Sequence, residues 1–285
     1  MRNPPPKEYL SWPVPNYIDP ESRGSMLVVV PVVLTVISFF VVLLRLYTRC
    51  VLIRSVGADD WLIGASAVYG AIAIATKYGW GLHIWDNRPE WYEDSRLFSW
   101  LCQVMFVVNS GLIKSSILLS YLRIAPERGF RYSVYASLFV VVGYAFGVGF
   151  SVVFTCNPVY GYWDHSVKSK CLKDSVLLLT GSIINTCTDF WVAFLPAPML
   201  MRVWLPYRQK VVLVVLFGFA ALVCVAGICR TATLHKTMFG TYDVTWFGAL
   251  TLVWGAVETD VGITTASVPA LRPLFNLYFP SLLGT

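Results

Sequence analysis

The stretch from Met26 to Thr48 reads MLVVVPVVLTVISFFVVLLRLYT, and its one charged residue is Arg45. At about 1.5 Å per residue this run makes a helix of about 34 Å, longer than the roughly 30 Å hydrocarbon core of a bilayer. Apolar on every side, such a helix belongs in lipid and not at the surface of a soluble domain. Working outward, six more runs follow between charged, Pro or Gly breaks, at 61–82, 97–122, 133–155, 174–200, 211–234 and 246–270. The expected fold is all-α, a polytopic bundle of seven transmembrane helices. Residues 1–25 form a polar, proline-rich N-terminal segment, 26–275 the helical domain and 276–285 a short tail. Connections of about 10 to 20 residues leave no room for a second folded domain.

Composition agrees: 56% of the 285 residues are hydrophobic and only 13% charged. The net charge of +6 comes from 22 Lys and Arg scattered between apolar runs, with no basic face, so nucleic acid is not an expected partner. The polar first 25 residues and the length of the first apolar run argue against a cleavable signal peptide.

Counting Lys and Arg in the loops, with Lys77, Lys114 and Arg230 set aside as intramembrane, gives ten against nine in favour of an external N-terminus and a cytoplasmic C-terminus. Cysteine placement adds to that orientation, because Cys156 and Cys171 share a loop that it puts in the oxidising compartment. A bridge between them is the favoured pairing and would contribute roughly 3 kcal/mol; the rival joins Cys102, at the outer end of the third span, to one of them. Cys50, Cys187, Cys224 and Cys229 fall on the inner face or inside helices and read as thiols.

Several segments carry a family likeness when taken in order: DDWL at Asp59–Leu62, GWGLH at Gly79–His83, IKSSILLSYLRI at Ile113–Ile124 and CNPVYGYWD at Cys156–Asp164 with Cys171 after it. NTCTDFWVAFLPAPML at Asn185–Leu200, LPYRQK at Leu205–Lys210, and Trp254, Glu258 and ASVPALRPLF at Ala266–Phe275 complete the set. In this order the chain resembles the fungal rhodopsin-like domain family of seven-helix membrane proteins. The resemblance implies that fold and a fungal setting, with members that are receptor-like and others encoded in toxin or secondary-metabolite clusters. Receptor-like members often add a cysteine-rich external domain or a long cytoplasmic tail, whereas here fifteen residues follow Ala270 and the first 25 contain no cysteine. That tilts the expectation toward a pathway component.

Charged side chains inside a bilayer are costly unless they face the bundle interior and find partners, which makes each one a functional candidate. Gln103, Ser110 and Lys114 share one face of the third span, and Ser182, Asn185 and Asp189 share one face of the fifth. An ion pair between Lys114 and Asp189 follows, serving either as a clamp between the helices or as chemistry. Glu258 sits mid-membrane in a stripe with Thr251, Trp254 and Thr265, and Asp260 projects about 200° away from it. Arg230 and Lys77 lie near the outer surface. They either snorkel to the interface or, for Arg230, join His83, Trp80, Trp85 and Tyr92 at the mouth of an outward-facing cavity.

The candidate set is thus Glu258 and Asp189 as acids, and Lys114, Asn185, Trp254, Arg230 and His83 as pocket residues. Burial is expected to push Glu258 toward its neutral form unless Arg230 or another cation reaches it. No metal or cofactor is expected: the three histidines have no second ligand at i+3 or i+4, and the seventh span has no lysine for a retinal Schiff base. The expected partners are membrane lipids and a lipophilic small molecule, in the plasma membrane or the endoplasmic reticulum. A G protein enters only if the chain is a receptor-like sensor. A carrier or channel ranks lowest, since no internal repeat or broken-helix pair is evident.

Overall fold

The computed structural model describes residues 10–53, 79–124, 127–164, 166–200 and 207–278, together with Pro5, Glu8, Gly57, Asp60 and Ile63. Among them are six long helices: α1 (Gly24–Tyr47), α2 (Tyr92–Ile124), α3 (Arg128–Val153), α4 (Asp174–Phe194), α5 (Tyr207–His235) and α6 (Val244–Tyr278). The boundaries fall within a few residues of the expected spans, except that the fifth stops at Phe194 before a separate helical turn at Ala197–Leu200, and the last runs on to Tyr278. Pro196 and Pro198 explain the first difference, since proline gives up a helical hydrogen bond and crowds the preceding turn.

Five helices among the described residues are long and apolar enough to cross a membrane, within Ser25–Leu52, Pro89–Leu122, Arg128–Val153, Asp174–Phe194 and Val214–Gly240. At 35 residues α6 has the length but carries Glu258, Asp260 and five threonines, which dilute its apolar character. Where seven crossings were expected, six long helices are described. The second expected span, 61–82, lies almost wholly outside the described residues, and Lys77 and His165 with it.

The bundle is apolar outside and polar within. On α3 Phe139, Phe146 and Phe150 are 81%, 65% and 61% exposed, which suits lipid and not water. Inside, Lys114, Asn185, Asp189, Arg230, Glu258 and Asp260 are all buried. Around the ring α1 packs on α6, α6 on α5, α5 on α4, α4 on α3 and α3 on α2; α2 also reaches α4 and α6, which makes it the inner helix. From α2 onward the helices are joined by short connections and run alternately up and down.

One end of the bundle carries a cap. Arg23 donates its backbone N–H to Gly81 and Gly81 donates to Thr245, while the Asn16 N–H donates to Asp86. Gly79, at φ +75°, makes the turn into this cap, and the Asn87 side chain occupies the space any larger residue would need. Beside it two short strands, β1 (Cys156–Asn157) and β2 (Lys170–Cys171), pair antiparallel with Cys156 opposite Cys171, and the two cysteines form a disulfide. Cys102 is buried and takes no part in the bridge, so the rival pairing falls away. Within the disulfide loop, burial pushes the Tyr162 phenol up to about 12, with the Asp174 carboxylate adding to the effect.

At the opposite end Arg45 is fully buried: its Nε lies 2.8 Å from Asp60, and its Nη1 donates to the Ala266 carbonyl at 2.5 Å. Arg49 stands 3.7 Å from the same carboxylate. Two arginines counted by the sequence reading as loop charges are therefore partners of the DDWL segment's second aspartate.

Candidate functional site

Midway along the bundle, helix periodicity brings the polar faces of α2 and α4 together. The Lys114 ammonium has four oxygens around it: the Asn185 carbonyl at 2.8 Å, Asn185 Oδ1 at 2.9 Å, Thr188 Oγ1 at 2.7 Å and Asp189 Oδ1 at 3.1 Å. Asn185 is wholly buried and works as a bridge. Its Oδ1 accepts from Ser110 at 2.7 Å, and its Nδ2 donates to Glu258 Oε1 at 2.7 Å and to Asp189 Oδ2 at 3.2 Å.

From Glu258 the network crosses to α5, where Arg230 Nε donates to Oε2 at 2.8 Å and Nη1 donates to Ser182 Oγ at 2.9 Å. Gly227, one turn before Arg230, leaves room for this approach, since a Cβ there would lie 3.4 Å from Glu258 and 3.2 Å from Thr186. Two cations and two carboxylates thus sit in one buried chain with balanced charge, so each finds the compensation that burial demands. Arg230 does not snorkel to the outer surface. It turns inward to Glu258, the cation that the expectation for Glu258 allowed for.

Between this network and the cap lies a cavity of about 160 Å³. All six helices contribute to its wall, mostly with apolar side chains such as Leu27, Val148, Leu177 and Leu234. Its polar lining includes Arg230, Asp260, Gln103, Thr251 and Tyr144, while Trp80 stands toward the cap and Tyr162 and Asp174 toward the disulfide loop. A second cavity of about 50 Å³ lies on the other side of the network, lined by Lys114, Asp189, Glu258, Tyr121 and Thr265 among others.

Asp260 faces the larger cavity and takes hydrogen bonds from α1, from Ser38 Oγ at 2.6 Å and Thr35 Oγ1 at 3.3 Å. No cation pairs with it among the described residues. It is thus held by α1 and also forms part of the cavity wall, on the side of α6 away from Glu258.

Two expected pocket residues lie elsewhere. Trp254 is half-buried and lines neither cavity, because it falls about 40° further round α6 than Glu258, off the arc of Thr251, Gly255 and Thr259. His83 belongs to the cap: its Nδ1 meets Asp243 Oδ2 at 2.5 Å, and its ring lies between Trp85 at 4.6 Å and Trp246 at 3.9 Å. The Arg23 guanidinium lies over the Trp246 ring at 4.1 Å. Nothing in the sequence pairs His83 with Asp243, which lie 160 residues apart. Among the described residues no three His, Cys, Asp or Glu side chains stand together as a metal site.

The chain matches the fungal rhodopsin domain over residues 44–277. It is similar to the polyenoic acids biosynthesis gene cluster protein Ba17b of Metarhizium anisopliae, 26% identical over 93% of this chain and 77% of that one. It is also similar to the receptor GIN3 of Arthrobotrys oligospora, 27% identical over 90% of this chain and 64% of that one. The wortmanamides biosynthesis cluster protein C of Talaromyces wortmannii is 25% identical over 80% of this chain and 63% of its own length. No solved structure matches.

Proposed function

This chain belongs to the fungal rhodopsin domain family, and from that premise we propose that it is a multi-pass membrane component of a fungal secondary-metabolite pathway which holds a lipophilic intermediate inside the bundle. The observation that carries the reading is the cavity of about 160 Å³, apolar along most of its wall and polar only at a few fixed groups. Relatives named for biosynthesis clusters support it. Both Asp189 and Glu258 already hold cations, so the carboxyl group best placed to exchange a proton with a bound intermediate is Asp260.

We further read the chain as crossing the membrane seven times, with its N-terminus outside, in the plasma membrane or the endoplasmic reticulum. In favour, Asp60 lies with Arg45 at one end while Gly81 lies with Arg23 at the other. The disulfide lies at the second of these ends, where Tyr162 of its loop meets Arg96.

A second reading, a receptor-like sensor coupled to a G protein, is favoured by the similarity to a receptor over 90% of this chain. One variant separates the two. Ala256→Phe places a ring in the cavity wall and should cut pathway output in a deletion strain at least about tenfold, equivalent to roughly 1.4 kcal/mol of lost binding. Metabolite profiling, with the variant's membrane level checked by immunoblot, reads the result. Unchanged output from a normally expressed variant would reject the pathway role, and loss of a ligand-evoked signal instead would favour the sensor.

A further inference from the structure

Arg230 spends two of its three nitrogens inside the network, Nε on Glu258 and Nη1 on Ser182. The third, Nη2, is buried and has no hydrogen-bond partner, although Arg230 forms part of the wall of the larger cavity. Beneath the guanidinium lies the Phe106 ring, 4.4 Å away, which satisfies its charge in part but accepts no conventional hydrogen bond. A donor left unmet in a dry setting is costly, so a site that keeps one is shaped for an acceptor that arrives with a ligand. Ordered water is a poor answer, because it needs two to four polar partners of its own and the wall nearby is largely apolar.

Resting on the reading of this cavity as a ligand site, we propose that it takes an uncharged lipophilic carbonyl compound, whose oxygen accepts from Arg230 Nη2 once the guanidinium turns to uncover that nitrogen, which is fully buried at rest. Charge decides against a carboxylate or phosphate head. Lys114 and Arg230 are balanced by Asp189 and Glu258, so an entering anion leaves an uncompensated negative charge in the membrane interior. Asp260, on the same cavity wall and without a cation among the described residues, adds to that penalty whenever it is ionised. A carbonyl supplies the missing acceptor and brings no charge. Size sets the second limit: a dry cavity of about 150 Å³ holds a benzene-sized guest, so the enclosed part of the ligand is on the order of six to eight carbons. A longer chain would extend toward Tyr162 and Asp174.

The test uses the full chain in lipid nanodiscs, with carbonyl-labelled 2-octanone as probe and infrared absorption as readout. The expected result is a saturable carbonyl band at lower frequency than in empty nanodiscs. That band should vanish in Arg230→Met combined with Glu258→Gln, which removes both charges together. Should that pair fail to fold, Arg230→Lys keeps a cation for Glu258 but loses the planar third nitrogen, and the band should shift back toward its lipid position. Octanoate should compete at least tenfold more weakly than unlabelled ketone. Absence of a saturable band, or stronger displacement by octanoate, overturns the proposal. A missing band alongside lost pathway output in Ala256→Phe rejects the carbonyl assignment alone, whereas normal ketone binding with unchanged output in that variant rejects the pathway role and leaves this one standing.

Discussion

Glu258 changes character between sequence and structure. Read from its depth alone it is an acid to be neutralised by burial; with Arg230 at 2.8 Å it is one half of a buried ion pair. Glu258→Gln should therefore destabilise the protein instead of leaving folding normal, by roughly 3–5 kcal/mol, because it strands the guanidinium. Adding Arg230→Met should recover part of that loss, measured as the melting temperature in detergent. Lys114 and Asp189 obey the same logic. Lys114→Met or Asp189→Leu alone should each cost roughly 3–5 kcal/mol, and the double variant less than the sum. Additive losses in the thermal double-mutant cycle would mean that the 3.1 Å contact contributes no coupling.

At the scale of elements, the disulfide loop and the cap close one end of the bundle by different means. The loop joins β1 to β2 through Cys156 and Cys171, 15 residues apart, and carries Tyr162 to the rim of the cavity. A bridge across a loop of this length contributes roughly 3 kcal/mol, so Cys156→Ser should lower the melting temperature by that equivalent. Reductant should do the same to the native chain and nothing further to the variant. Non-reducing peptide mapping should recover Cys156 linked to Cys171 with Cys102 unmodified. The cap depends on no covalent bond: it stacks Trp85, His83, Trp246 and Arg23 and pins His83 to Asp243.

For the whole molecule, the charge tally that orients the chain loses some of its force, since Arg45 and Arg49 are drawn to Asp60. The disulfide gains weight in its place. A tag placed before Met26 should be reached by protease from the external or luminal side of sealed vesicles, and exclusive access from the cytosolic side would reverse the proposed orientation. Helix existence was legible in the sequence because apolar length is a one-dimensional property, and so was the Lys114, Asn185 and Asp189 cluster, because positions on a single helix share a face by periodicity alone. The chain by itself thus determined an apolar-coated helical bundle with a polar interior. What only the tertiary structure decided was pairing between helices: Arg230 with Glu258, Asp260 with α1, His83 with Asp243, and Trp254 outside the cavity. The relative depth and rotation of packed helices set those contacts, and neither is written in the periodicity of any one of them.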